Sequence, residues 1–240
     1  MCECTLSIYF SSVKIFLDIR CAVSMATAST PAVPESRPYH HGGLPLTLLA
    51  AAETVLVRDG IAGLGLRAIA REAGVSHTAP RHHFGDTTGL LSDLAAVGFQ
   101  RLRDAMLAAM DGVADRRERR HAIAHAYVHF AHDNPALFGL MFRNEIIDMR
   151  RPSLSQAAKA AMQVMAPTIG EAPSAGADAL SASDAMRVTA AWAYVHGLAT
   201  LLIDQRLHGV LKASPGFRDP LALVDAVLEN VALAAEPASR

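Results

Sequence analysis

The 240-residue chain has a formal net charge of −1, with 51% hydrophobic and 5% aromatic residues. A chain of this length can bury the core of one or two domains, while its near-neutral charge excludes a protein that coats nucleic acid by charge alone. Abundant alanine and short β-branched runs predict an all-α fold. The sequence contains no Gly-x-Ser-x-Gly element, phosphate loop or dinucleotide fingerprint, so we predict no enzymatic activity and no cofactor.

Residues 1–36 differ in character from the rest of the chain. A lysine interrupts their apolar segment 8–17, so no run reaches the length of a signal or membrane helix. All three cysteines lie in this stretch, in a spacing that is weak as a metal motif. We therefore expect a disordered or non-native extension, a biological start at Met25, and a cytoplasmic protein without a membrane partner.

Residues 64–91 carry the most informative pattern. After an apolar-faced helix, Gly74 stands where a helix ends in a left-handed residue. Ser76 is the expected N-cap of a second short helix, which Phe84 closes into the core. Asp86 is the expected cap of a third helix. This order predicts a helix-turn-helix DNA reader.

The remaining helices predict a second functional part. We divide the chain into the extension 1–36, a three-helix helix-turn-helix DNA-binding domain at 37–97, and a helical ligand-binding and dimerisation domain at 98–236. The second domain is predicted to contain Leu94–Met110, Arg116–Asp133, a short helix within 134–143, Ser153–Met165, Asp184–Leu207 and a last helix capped by Asp219. Residues 166–183 are predicted to be a flexible connection.

The predicted helix Asp184–Leu207 is apolar nearly all round, so we expect it to be buried on several sides. Together with the last helix it could build a four-helix interface between two subunits. A homodimer is also what a half-site reader needs, because its two recognition helices must lie one DNA turn apart.

Four motifs occur in an order that resembles the TetR-like transcriptional regulators. They are the entry sequence Tyr39–Gly42, Ala-x-x-Ala-Gly-Val-Ser at 70–76, Asn134–Phe142, and Trp-x-x-x-His-Gly at Trp192–Gly197. The last motif is typical of one branch of that family. The resemblance runs from about Tyr39 to the last helix. It implies a homodimeric repressor that a small apolar effector releases from a palindromic, double-stranded DNA operator.

The DNA-contacting residues follow from the short second helix of the reader and from the start of its first helix. We predict contacts from Thr47, Arg67, Ser76, His77, Thr78, Ala79, Arg81 and His82. The chain departs from the family at Arg81, where tyrosine is usual, at Thr87, where lysine is usual, and at Leu44–Leu46, where basic residues are usual. These departures motivate the alternative of a helical small-molecule-binding dimer that has lost most DNA affinity.

The effector pocket is predicted from apolar and polar residues of the second domain. Its candidates are Phe138, Met141, Met162, Met165, Trp192 and His196, with Met186 as a further methionine. The more common role of such methionines is to fill the core, and a buried histidine such as His196 more often hydrogen-bonds within the core.

A stripe of four histidines on one helix suggests metal ligands, since imidazoles one turn apart can bind zinc. These residues are His121, His125, His129 and His132. The opposite face of the helix is apolar, so we expect the stripe to face solvent or a neighbouring helix. No carboxylate or cysteine completes the stripe locally, and we therefore predict no metal site.

Overall fold

The computed structural model describes residues 43–169, 181–214 and 216–230, which belong to one compact unit. Apart from a 3-10 turn at Ile61–Gly63, the regular structure of these residues is α-helical, as the composition predicts. The helices are α1 Leu44–Asp59, α2 Leu66–Glu72, α3 Ala79–Phe84, α4 Thr87–Ala109, α5 Arg116–Asp133, α6 Pro135–Met141, α7 Pro152–Ile169, α8 Ala182–Ile203, α9 His208–Ala213 and α10 Pro220–Asn230. The predicted extension and the motif Tyr39–Gly42 lie outside the described residues.

The turn after α2 has the geometry that the sequence predicts. Gly74 has a φ of 66°, in the left-handed region that glycine adopts without steric cost. The Val75 N–H donates to the Ala70 carbonyl at 3.0 Å, and the Gly74 N–H donates to the Arg71 carbonyl at 3.2 Å. These two bonds form a Schellman motif, which satisfies carbonyls that the end of α2 leaves open.

The start of α3 differs from the prediction. The helix begins at Ala79 with Thr78 as its N-cap residue, so Ser76 is not the N-cap. Instead, the Ser76 carbonyl accepts from the Ala79 N–H at 3.0 Å in a tight turn. Pro80 occupies the first turn of α3, where its missing N–H costs no helical hydrogen bond.

α3 and α4 approach each other closely at Gly89. The Asp86 carboxylate caps α4, as predicted, by accepting from the Gly89 N–H at 2.7 Å. A Cβ on Gly89 would lie 2.1 Å from the Phe84 carbonyl oxygen, so only glycine fits here. The end of the short helix is therefore held directly against the first turn of α4.

α4 extends from the helix-turn-helix segment into the rest of the chain. It contacts α1 and α3 as well as α5, α6 and α7. The buried residues form one hydrophobic cluster that runs from Leu48 on α1 through Leu94 and Met106 on α4 to Leu154 on α7. Movement of α4 relative to α7 would therefore move the short helices as well.

α7 is longer than predicted and continues through Pro167 to Ile169. Two arginines of α5 explain the extension, because they bind the carbonyls at its end. Arg116 donates to the carbonyls of Pro167 and Thr168 at 3.1 and 3.2 Å, and Arg120 donates to that of Thr168 at 3.2 Å. These bonds satisfy acceptors that a helix terminus otherwise leaves open.

α8 differs from the prediction in two respects. It ends at Ile203, before Gln205 takes a left-handed φ of 57°, so it does not reach Leu207. It is also not buried on several sides within this chain, because Met186 is 68% exposed. By length and composition alone, α8 is long and apolar enough to cross a membrane, as core helices of soluble proteins also are. In its most apolar stretch of 18 residues, 28% is buried.

Candidate DNA-binding surface and effector cavity

Six of the eight predicted DNA-contacting residues form an exposed strip on and before α3, and the other two, Thr47 and Arg67, lie on α1 and α2. Exposed side chains belong to Ser76, His77, Thr78, Arg81 and His82, while Ala79 is half-buried. Pro80 and Phe84 are buried, so α3 has one face in the core and the other in solvent. His83, which the sequence analysis did not select, is exposed beside His82, with their rings 5.3 Å apart. Only the helical position of His83 could have indicated it.

The polar groups of this strip differ in how they are engaged. The hydroxyls of Ser76 and Thr78 lie 2.9 Å apart, so they can present a joined donor and acceptor. Thr47, at the start of α1, donates its hydroxyl to the Gly43 carbonyl at 3.0 Å. Within the described part of the chain, Arg81 and Arg67 are exposed and form no ion pair. Their guanidinium groups are therefore available to phosphates or base edges.

The carboxylates of α1 and α2 are paired with arginines. Glu53 binds Arg101 of α4 through both oxygens, and Arg58 bridges Asp59 and Glu72 at 3.0 and 2.7 Å. The hydrogen bond from Arg58 holds the pKa of Asp59 below its ordinary value. These pairs neutralise the carboxylates of α1 and α2, and residues 76–83 themselves contain no carboxylate.

A cavity of about 260 Å³ lies between α4, α5, α7, α8 and the segment around Met141. None of the side chains that line it is charged, and its polar atoms come from Tyr127, Asn144 and Trp192. The lining residues are Phe99, Leu102, Met106, Tyr127, Met141, Phe142, Asn144, Met149, Ala158, Ala161, Met162, Met165 and Trp192. The arrangement suits an uncharged, largely apolar molecule.

The structure brings four of the six predicted pocket residues to this cavity: Met141, Met162, Met165 and Trp192. Phe138 and His196 do not line the cavity, and neither does Met186, which is exposed on α8. The wall residues of α4 were missed because their helical pattern is that of any core helix. Asn144 and Met149 were missed because they lie on a loop, where no periodicity indicates a facing direction.

His196 belongs to a hydrogen-bonded group at the wall of the cavity. Its Nδ1 lies 3.0 Å from the Tyr127 hydroxyl, which accepts from the Trp192 Nε1–H at 3.3 Å. The His196 ring is 4.5 Å from that of Phe142 and 5.5 Å from that of Phe138. Burial lowers the pKa of His196 and raises that of Tyr127, which favours the neutral forms of both. His196 was predicted either to contact an effector or to hydrogen-bond within the core, and its bond to Tyr127 favours the second interpretation.

The loop between α6 and α7 connects the cavity to the first turns of α4. Met149 of this loop lines the cavity. One residue before it, the Asp148 N–H donates to the Ser92 hydroxyl at 2.8 Å, and Ser92 donates to the Thr88 carbonyl at 2.7 Å. Two residues after it, Arg151 donates to both carboxylate oxygens of Asp93 at 2.7 Å. The cavity wall is therefore bonded to the end of α4 that carries α3.

The middle two residues of the histidine stripe of α5, His125 and His129, face α10. For these two residues, the prediction that the stripe faces a neighbouring helix is confirmed. His125 and His129 both hydrogen-bond to one carboxylate oxygen of Asp225, at 3.0 and 2.9 Å. His132 instead binds its neighbour Asp133 at 3.0 Å. The carboxylate that the local sequence of α5 lacks thus comes from the last helix.

Two family descriptions match this chain. Residues 48–94 match "Bacterial regulatory proteins, tetR family", and residues 120–231 match "Tetracyclin repressor-like, C-terminal domain". Among curated proteins, no sequence matches the chain.

Solved structures agree with these matches. A protein of unknown function from Rhodococcus sp. RHA1 is 37% identical, with a TM-score of 0.61 over 82% of this chain and 100% of that one. A tetR-family regulatory protein from Rhodococcus RHA1 is 20% identical, with a TM-score of 0.56 over 80% and 98%. FadR from Bacillus subtilis, solved in complex with stearoyl-CoA, is 17% identical, with a TM-score of 0.54 over 79% and 97%. The chain belongs to the tetR family of bacterial regulatory proteins and is a DNA-binding transcriptional regulator, not an enzyme.

Proposed function

We propose that the protein is a homodimeric repressor that binds a palindromic operator and releases it when a small, uncharged, apolar effector enters the cavity. The observation that carries this proposal is the bonding of the cavity wall to the first turns of α4, against which the exposed helix α3 is packed. A ligand that shifts this wall can therefore shift the DNA-binding surface.

On the DNA side, the exposed strip supplies direct contacts to the major groove and its phosphates. Arg81 is our candidate for a phosphate or guanine contact, and Ser76, His77 and Thr78 present polar groups beside it. Arg67 and Thr47 are assigned to the backbone, with His82 and Ala79 completing the contact strip. The neutral surroundings predict binding that depends on geometry and a few arginine contacts more than on bulk charge.

On the dimer side, the support comes from α8 and α10, which contact each other and leave apolar surface uncovered. Met186 and Leu201 are exposed large hydrophobic residues on α8. Exposed large apolar residues on one helix are what an interface between two copies would use. Two copies of the α8–α10 pair would bury it in a four-helix interface and hold two α3 helices at a fixed separation.

The effector class follows from the lining of the cavity. FadR was solved with stearoyl-CoA, whose phosphates need basic partners, whereas no lysine or arginine lines the cavity of this chain. We therefore assign an uncharged ligand with an aromatic or aliphatic body, held by the polarisable methionines and oriented by Tyr127, Asn144 or Trp192. Release requires that the ligand bind the DNA-free conformation more tightly than the DNA-bound one.

The direct test is fluorescence anisotropy of the full chain with duplexes that tile its own upstream region, at two salt concentrations. We expect tight, salt-sensitive binding to one palindromic duplex. Arg81→Ala should weaken that binding by about 1–3 kcal/mol if it reads a base, or lower the salt slope by about 1 if it binds a phosphate. Arg206→Ala, an exposed arginine after α8, removes the same charge and should change neither.

Weak binding to every duplex alike would contradict the repressor proposal. It would favour the alternative of a helical small-molecule-binding dimer that has lost most DNA affinity. That alternative has its own support, because Leu46 is exposed and Thr87 is uncharged at positions where the family usually carries basic residues. Unchanged affinity and salt slope in Arg81→Ala would remove Arg81 from the contact surface.

The effector is best sought through Trp192, which lines the cavity and is the single tryptophan of the chain. Binding of an apolar compound should change its fluorescence and release the duplex over the same concentration range. Ala158→Phe would fill part of the cavity, so it should abolish both effects and keep operator binding. Release that persists with a filled cavity would place the effector elsewhere.

A further inference from the structure

We infer that His125, His129 and Asp225 form a binding site for one divalent transition-metal ion of the zinc class. This inference is independent of the proposed repressor function. His125 and His129 lie one turn apart on α5, so their imidazoles share a face. Asp225 reaches them from α10, and the ligand atoms of the three side chains all lie within 4.8 Å of one another.

Both histidine nitrogens contact the same carboxylate oxygen. One oxygen of Asp225 lies 3.0 Å from Nδ1 of His125 and 2.9 Å from Nε2 of His129. A tetrahedral zinc ion holds its nitrogen and oxygen ligands at about 2.0–2.2 Å, which separates the ligands from each other by roughly 3.3 Å. An ion would replace the two hydrogen bonds, and each nitrogen–oxygen separation would widen by a few tenths of an ångström. The two histidine nitrogens, which lie within 4.8 Å of each other, would have to approach the same spacing of roughly 3.3 Å.

The chemistry of the three groups suits such an ion. In the hydrogen-bonded state each imidazole donates to the carboxylate from the nitrogen that faces Asp225. When an ion binds, the proton of a neutral ring moves to the other ring nitrogen, which leaves a free electron pair for the metal. Two imidazoles and a carboxylate are ligands that zinc, cobalt and nickel accept readily, and they leave a fourth position for water. The side chains are 29%, 44% and 28% exposed for His125, His129 and Asp225, so the site is shielded yet open to an entering ion.

The position of the site gives the ion a structural consequence. It would join α5 to the last helix, across about a hundred residues of sequence. Because an ion held by residues so far apart binds the folded chain and not the unfolded one, it should stabilise the fold by an amount that grows with the logarithm of its concentration relative to the dissociation constant. The other two histidines of the stripe serve as controls, since His121 and His132 lie outside the cluster.

The test uses the full chain after removal of metal by a chelator, with Cys2, Cys4 and Cys21 changed to serine so that thiolates do not compete. Co²⁺ is titrated and its visible d–d absorption is followed, and Zn²⁺ is then added as competitor. We expect one Co²⁺ per chain, displaced by Zn²⁺. Affinity should fall more than about tenfold in His125→Ala, His129→Ala and Asp225→Asn, and stay unchanged in His121→Ala and His132→Ala.

Thermal unfolding supplies a second readout. Zn²⁺ should raise the melting temperature of the parent chain and of the His121 and His132 variants, but not that of Asp225→Asn, which keeps the shape of the aspartate. Three outcomes would overturn the inference: no Co²⁺ bands in the parent, full binding in the three ligand variants, or an equal loss in His121→Ala. Circular dichroism identifies any variant that does not fold. If His129→Ala does not fold, the more conservative His129→Gln replaces it.

Discussion

The Arg151 guanidinium donates to both carboxylate oxygens of Asp93 at 2.7 Å, which joins the start of α7 to α4. The pair is partly buried, with 29% of the Arg151 side chain and 17% of the Asp93 side chain exposed. Arg151 binds both carboxylate oxygens of Asp93, and one of them also accepts from the Ser153 hydroxyl. This cluster and the Ser92–Asp148 bond are the polar links between the cavity loop and the DNA-binding end of α4.

Arg151→Ala should lower the free energy of unfolding by about 1–3 kcal/mol, because it leaves a partly buried carboxylate without its charged donor. Urea unfolding at pH 7 measures this loss. The matched control is Arg150→Ala one residue earlier, whose side chain is 91% exposed in its pair with Asp148. We expect that control to change stability by less than about 0.5 kcal/mol. Equal losses in the two variants would contradict the assigned role of Arg151.

Gly89→Ala should disturb the contact between α3 and α4. The new Cβ would lie 2.1 Å from the backbone oxygen of Phe84 and 2.9 Å from Nη1 of Arg151, so the end of α3 must move. We expect a loss of more than about 1 kcal/mol in unfolding free energy, together with weaker operator binding in the anisotropy assay.

Gly139→Ala is the control for this change, since nothing lies within 4 Å of the position that its new methyl group would take on α6. Alanine is a better helix former than glycine, so this variant should gain up to about 1 kcal/mol. A Gly89→Ala protein as stable as the parent would show that α3 adjusts freely, and would weaken the coupling that we propose.

Two tyrosines, one on α5 and one on α8, should respond oppositely to loss of their hydroxyls. Tyr127→Phe removes the partner of His196 and Trp192 and should cost about 0.5–1.5 kcal/mol. The Tyr194 hydroxyl is buried with no hydrogen-bond partner among the described residues. Tyr194→Phe should therefore be neutral or stabilising, because it removes a polar group whose burial nothing offsets. Urea unfolding of both variants measures these changes in the free energy of unfolding. A larger loss in Tyr194→Phe than in Tyr127→Phe would contradict the roles given to the two hydroxyls.

His196 should make stability depend on pH in the mildly acidic range. Burial holds its pKa below the ordinary value of 6.5, so the unfolded chain binds the proton more readily than the folded one. The stability that comes from the neutral ring is present above about pH 6.5 and is lost as the pH falls below it. The difference in melting temperature between the parent and His196→Gln, measured from pH 8 to pH 5, should shrink with falling pH. A difference that stays constant would show that His196 does not titrate differently on folding.

The local features of the fold were predictable because they depend on neighbours in the chain. Gly74 ends α2 in a left-handed conformation, Asp86 caps α4 and Asp219 caps α10, each through bonds within a few residues. α5 has the predicted bounds, Arg116–Asp133, since an uninterrupted helical pattern begins and ends there. The prediction was wrong at Ser76 and at Leu207, where a proline and a left-handed glutamine shift a helix boundary.

Four of the predicted cavity residues could be found because methionine and tryptophan in a helical domain mark adaptable apolar space. The other residues that line the cavity could be identified only from the packed structure. Tyr127 was recognisable as a core residue, but only its bond to His196 shows how the polar wall of the cavity is satisfied. Met149 lies on a loop whose course depends on the anchoring of Asp148 to Ser92.

By itself, the sequence determined most of the helices, the caps at Asp86 and Asp219, the exposed strip of α3 and the family. Periodicity and capping act over a few residues, so they are readable along the chain. The tertiary structure decided which distant groups meet. Asp225 reaches His125 across 100 residues and Arg151 reaches Asp93 across 58, and no local pattern encodes either pairing. These contacts arise when helices bury a common core, and that packing alone determines which polar side chains at its edge face each other.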